Sequence, residues 1–151
     1  MKRLFPFLIA ALLMPFFAAA QMNKDVVHWK FSAIKKDKNT WTITAQAKMD
    51  AGYHIWALDA GGDGSLIATA INIAESEDVE LIGDWKESKK PVEQTYEFVD
   101  GAVRYFEHQV SFSQDIKAAA GTIITGTADF QTCNDKMCFP PDSEAFSLTL
   151  K

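Results

Sequence analysis

From Asp25 onward the chain alternates apolar and polar residues with a period of two, not the 3.6 of an amphipathic helix. Val27, Trp29, Phe31 and Ala33 share one side of a first segment, and His28, Lys30 and Ser32 share the other. The second segment is cleaner: Trp41, Ile43, Ala45, Ala47 and Met49 alternate with Thr40, Thr42, Thr44, Gln46 and Lys48. One dry face and one wet face is the signature of an antiparallel strand forming the wall of a core. Residues 35–39 between these segments make a polar hairpin loop. Further strands are predicted over 54–58, 70–74, 79–82, 103–112, 122–132 and 145–150. Asp50-Ala51-Gly52, Gly61-Gly62-Asp63-Gly64, Asp100-Gly101 and Pro140-Pro141-Asp142 supply turn chemistry at the breaks. Short strands and turns without an amphipathic helix predict an all-β, two-sheet sandwich. The glycine-rich stretch 61–65 lacks the lysine and the following helix start that a phosphate-binding loop needs.

The first twenty residues break the pattern. Lys2 and Arg3 precede an apolar run from Leu4 to Phe17, and Ala18-Ala19-Ala20 precede Gln21. This order reads as a secretory signal peptide cut near Ala20, and so predicts a periplasmic protein. The rival, a membrane anchor, is disfavoured because the run is shorter than the ~20 residues of a spanning helix and contains Pro6 and Pro15. No cysteine follows the run to accept a lipid, so no stable membrane insertion is expected after cleavage. Removing 20 of 151 residues leaves 131, residues 21–151, enough for one domain and too few for two. The leader holds two of the 15 basic residues and none of the 20 acidic ones, so the mature balance is 13 against 20, or −7. That excess argues against nucleic acid or an anionic membrane as the partner.

Two cysteines in an exported chain predict one disulfide. Cys133 and Cys138 enclose Asn134-Asp135-Lys136-Met137 and precede Phe139-Pro140-Pro141. Asn134-Asp135 are turn formers, so the chain doubles back and brings the sulfurs together across a hairpin. Such a bond could staple the hairpin, contributing about 2 kcal/mol by loop-closure entropy. It could instead be chemically active. Disulfides that stabilise immunoglobulin-like sandwiches bridge distant strands in opposite sheets, which a local staple does not do. A zinc site would need about four ligands, and His28, His54 and His108 stand at no ligand spacing from the cysteines. No metal or cofactor is therefore expected. A cysteine hydrolase needs an oriented histidine and a permanently free nucleophile, which a pair poised for mutual oxidation does not supply.

The run Cys-x4-Cys-Phe-Pro-Pro after a strand, near the end of an exported β-sandwich, resembles the N-terminal periplasmic domain of the thiol:disulfide interchange protein DsbD. The likeness continues upstream over most of the mature chain. Gly52-Tyr53-His54-Ile55-Trp56 is similar to the family's aromatic segment that lines the active site, and Tyr96-Glu97-Phe98-Val99-Asp100-Gly101 to its cap loop. The resemblance implies an immunoglobulin-like antiparallel fold and a redox-active pair that relays electrons from a thioredoxin-like donor to periplasmic thiol proteins. It also implies that Cys138 forms the mixed disulfide with a partner, that Cys133 resolves it, and that Phe98 shields the pair. His54 and Trp56 stand where the family often has tyrosines. An imidazole at 54 could hydrogen-bond a thiol or stabilise a thiolate, or could be an ordinary core or surface histidine. Four residues separate the cysteines here, against five in the best-known members. The sequence stops at Lys151 without a membrane electron carrier, so the domain is expected to receive electrons in trans. The competing expectations are a non-catalytic immunoglobulin-like binding module with a structural disulfide and a chaperone working through a sheet edge.

Overall fold

The computed structural model describes residues 25–97 and 99–151. The signal-peptide expectation for residues 1–20 and the cap residue Phe98 fall outside the described residues. Within them the chain is all-β, an immunoglobulin-like antiparallel sandwich. Its strands are β1 (Val27–Lys35), β2 (Thr40–Met49), β3 (Tyr53–Gly61), β4 (Ala70–Ile73), β5 (Glu80–Glu87) and β6 (Val92–Thr95). They continue as β7 (Ala102–Glu107), β8 (Gln109–Lys117), β9 (Ile123–Phe130), β10 (Thr132–Asn134) and β11 (Asp142–Thr149). The first sheet runs β1-β2-β8-β5, the second β10-β3-β7-β6 and the third β11-β9-β4.

The core follows the alternation. Trp41, Ile43, Ala45, Ala47 and Met49 of β2 are all buried, joined across β8 by Val110, Phe112 and Ile116. Facing them are Ile55, Ala57 and Phe106 of the second sheet and Ile71, Ile124, Ala128, Phe130 and Phe146 of the third. Two ring contacts tie the layers: Phe106 meets Phe112 edge-on at 6.0 Å, and Phe31 stacks on Phe146 at 4.4 Å.

Two of the expected strands are each two strands. The segment over 103–112 divides at His108, whose φ of 64° is the only positive value on a non-glycine among the described residues. There the chain leaves the second sheet as β7 and enters the first as β8, and the His108 carbonyl accepts the Met49 amide at 2.8 Å. The segment over 122–132 divides at Gln131, where β9 of the third sheet gives way to β10 of the second. β6 has no counterpart in the hydrophobic pattern, because all four of its residues are exposed on an edge strand. β5 runs five residues past its predicted end, through an irregularity between Ile82 and Lys86. These crossings bring β10, β3 and β7 side by side, and that placement builds the site.

Candidate functional site

The hairpin that carries the cysteines is closed by local chemistry. The Asn134 side-chain oxygen accepts the amides of Lys136 at 2.9 Å and Met137 at 3.0 Å, the Asx geometry that makes asparagine a turn former. The Asn134 amide donates to the Met137 carbonyl at 2.9 Å, and the Phe139 amide to the Thr132 carbonyl at 2.8 Å. Between these two backbone bonds Cys133 and Cys138 face each other, with Cα atoms 3.9 Å apart, and are joined by a disulfide. Four intervening residues suit this arrangement: Asp135 and Lys136 form the tip, Asn134 pairs with Met137, and the next pair outward is the two cysteines.

β10 is the edge of the second sheet, and its register decides what surrounds the disulfide. Cys133 lies directly opposite His54 of β3, and His54 in turn lies opposite Glu107 of β7. Trp56 is paired with Tyr105. Directly paired residues share a sheet face, as do residues two apart, so Cys133, His54, Trp56, Tyr105 and Glu107 lie on one face. Ile55 and Phe106 point the other way, into the main core. The His54 ring lies 4.7 Å from that of Tyr105 and 5.3 Å, edge-on, from that of Trp56. The Trp56 indole donates to the Gln131 side-chain oxygen at 3.3 Å, and the Gln131 amide donates to the Phe139 carbonyl at 3.0 Å. The Tyr105 hydroxyl donates to Gln94 of β6 at 2.9 Å.

A second, smaller core seals one of the two sulfurs. Cys133 is 1% exposed, clustered with Trp56, Val99, Val103 and Tyr105, while Leu66 and Tyr96 pack against them. Tyr96 and Val99 belong to the β6–β7 loop, the segment that resembles a cap. Cys138 is exposed, as are Asp135, Lys136 and Met137 beside it. Tyr53 has the opposite parity: it lies across from Asn134, and its ring sits 6.1 Å from that of Phe139. Of the residues the sequence singles out, the structure therefore brings Cys133, Cys138, His54 and Trp56 together and turns Tyr53 away. Tyr105, Gln131 and Glu107 join the site without having been singled out. The phenol absent from positions 54 and 56 is present in the cluster through Tyr105.

The model of the family "Thiol:disulfide interchange protein DsbD, N-terminal" matches residues 19–150 of the chain. The chain belongs to that family. No curated protein sequence matches it. Among solved structures it is similar to the N-terminal periplasmic domain of ScsB from Proteus mirabilis, at TM-score 0.63 and 17% identity over 83% of the chain, spanning 47% of that protein. It is similar also to the reduced DsbD N-terminal domain of Neisseria meningitidis, at TM-score 0.54 and 16% identity, covering 80% of this chain and 84% of that one. A third is the complex of the DsbD and PilB N-terminal domains from the same organism, at TM-score 0.55 and 15% identity, over 79% of this chain and 80% of that one. At these identities the structural likeness concerns the fold.

In this DsbD N-terminal-family chain the buried imidazole is the titratable group closest in register to the disulfide. Burial pulls the His54 pKa below its ordinary 6.5, and the nearby carboxylates Glu107 and Asp135 offset part of that pull. Burial likewise raises the Tyr105 phenol, so it stays protonated. An unfolded imidazole takes up a proton near 6.5 while the folded one resists it, so acid favours the unfolded state. The stabilising effect is fully present above pH 6.5 and is lost as the pH falls through the lowered folded value. The urea midpoint is expected to drop between pH 7 and pH 5, and His54→Gln to flatten that part of the curve. An unchanged slope in the variant would show that other groups govern it. Among the described residues no group of three or more His, Cys, Asp and Glu stands ready to hold a metal.

Proposed function

We propose that this chain is an exported thiol–disulfide exchange domain that relays electrons between a thioredoxin-like donor and periplasmic thiol proteins through Cys133 and Cys138. The carrying observation is the asymmetry of the disulfide, with Cys138 open to solvent at a hairpin tip and Cys133 sealed in a small aromatic core. Thiol–disulfide exchange requires attack on a reachable sulfur, and that asymmetry favours Cys138 as the one attacked. The donor's thiolate bonds to the Cys138 sulfur, the Cys133–Cys138 bond breaks, and its electron pair leaves on Cys133. The donor's second thiolate then displaces Cys138, so the donor ends as a disulfide and the pair as two thiols after taking up two protons. In the onward step the Cys138 thiolate attacks an oxidised substrate. Cys133 resolves the mixed disulfide, restoring the Cys133–Cys138 bond and releasing the reduced substrate.

The cap loop carrying Phe98 in its sequence would be displaced when a partner docks, giving access to the aromatic cluster. Reading residues 1–20 as a cleaved leader supports export, and the likeness to ScsB's N-terminal domain, a periplasmic one, is in keeping with it. A thioredoxin-like partner, and a membrane electron carrier acting in trans, are inferences of the same kind, helped by the existence of the DsbD–PilB complex. Among the described residues there is no helix whose N-terminus could lower a thiol pKa. Exchange should accordingly be slow with generic disulfides such as insulin and faster with a docked partner.

The reduction potential tests the proposal. After equilibration with glutathione or dithiothreitol and thiol trapping, a value above about −250 mV is expected, within reach of thioredoxin-like proteins. A value well below about −300 mV would mark a structural bond and overturn the proposal.

A further inference from the structure

Cys133 presents a problem that exposed Cys138 does not. Whenever Cys133 resolves the mixed disulfide that Cys138 forms with a substrate, its thiol must lose its proton to become the attacking thiolate. At 1% exposure, water cannot readily take that proton or solvate the charge. The group directly opposite Cys133 in the sheet register, on the same face, is His54. We infer that His54 is the proton acceptor for Cys133 in the resolving step, which makes it a working part of the redox site and not a lining residue. This rests on the exchange reading above and assigns one step of it.

The surroundings of the imidazole suit the task. On β7 it faces the Tyr105 ring and, across the register, Glu107; on the hairpin it faces Cys133 and the charge of Asp135. Tyr96 of the cap loop packs on the same cluster. Burial keeps the ring neutral, hence able to accept, near pH 7, and the two carboxylates stabilise the imidazolium once it forms. The ring contacts with Trp56 and Tyr105 hold it in place. The step balances. The Cys133 proton passes to the imidazole, the Cys133 sulfur bonds to that of Cys138, and the bond from Cys138 to the substrate sulfur breaks. The electron pair leaves on the substrate thiolate, which takes a proton from water, and the imidazolium returns its own to solvent.

The test uses the reduced protein and one equivalent of the aromatic disulfide dithiobis-nitrobenzoate in a stopped-flow instrument. The first release of coloured thiolate reports attack by the exposed thiol, and the second reports resolution by Cys133. His54→Gln is expected to leave the first phase within about twofold and to slow the second at pH 7 by at least about tenfold. In the wild type the second phase should fall on the acid side, where the imidazole protonates. In the variant it should instead climb steadily with rising pH, as the thiol ionises with no base beside it. Equal second phases with equal pH profiles would overturn the inference.

If His54→Gln does not fold, Glu107→Gln provides the second test, since Glu107 is exposed. Removing that carboxylate should move the acid edge of the second phase to lower pH, and an unmoved edge would overturn the inference. Both phases are read with a small disulfide. A protein that shows them but fails to exchange with thioredoxin-like proteins would therefore refute the proposed function and leave this assignment standing.

Discussion

Serine at Cys133 is expected to reduce turnover in disulfide exchange to the level of the blank while trapping a covalent complex with the partner through Cys138. Serine at Cys138 should abolish turnover without forming any complex. The difference follows from exposure: Cys138 is open at the hairpin tip, whereas Cys133 is buried behind it. A partner thiol can reach the first and not the second, and a serine hydroxyl does not displace a thiolate from a disulfide. Non-reducing electrophoresis after mixing each variant with an oxidised thioredoxin-like protein distinguishes the two. A complex formed by Cys138→Ser and not by Cys133→Ser would reverse the roles. Neither variant should unfold the sandwich, because a ring this small contributes only about 2 kcal/mol by constraining the unfolded chain. A protein that unfolds on losing the bond would instead be a stapled module, contrary to the proposed function.

Phe112→Ala is expected to have the largest effect on stability, about 3–5 kcal/mol. Phe112 is fully buried in β8 at the centre of the first sheet, with its ring 6.1 Å from that of Trp29 and 6.0 Å from that of Phe106. Truncation removes the transfer free energy of the ring and leaves a cavity between two sheets whose backbones are held by hydrogen-bonded ladders. The cavity can collapse only in part. Against a total stability of about 5–15 kcal/mol for a domain, that loss is enough to unfold a marginal protein at moderate temperature. Urea denaturation at constant slope measures it. Ile123→Ala is the control: the side chain is 62% exposed, and its loss should stay within about 0.5 kcal/mol. Similar values for the two variants would mean that burial in the sandwich does not govern its stability.

The cysteine hairpin and the long, regular strands were legible because they depend on neighbours in the chain. In β2 every second residue is apolar and every one of those is buried, since alternation in sequence is alternation across a pleated sheet. Asn134 closes its turn with its own side chain. The family motif is local in the same sense. By contrast, β6 was invisible because an edge strand with four exposed residues carries no apolar period. The division at His108 was invisible because Phe106, Val110 and Phe112 keep one parity straight through it, and only the sheets on either side show that the chain has crossed over.

The composition of the site belongs to this second kind. Trp56 and His54 lie on the opposite face of β3 from the main core, and sequence alternation alone would leave that face to solvent. They are buried because Tyr96 and Val99 of the β6–β7 loop pack over Trp56, and the rings of Trp56 and Tyr105 flank His54. Tyr105 and Glu107 enter the site through register, from a strand remote in sequence, and Gln131 through its hydrogen bonds to Trp56 and Phe139. The sequence by itself determined the β-sandwich, the facing cysteines and the family, because period, turn residues and motif are written in adjacent positions. Only the tertiary structure decided that Cys133 is sealed, that Cys138 is open and that His54 stands opposite the buried sulfur. Pairing between strands is a choice among many registers, made by the burial of the whole core and not by any one segment.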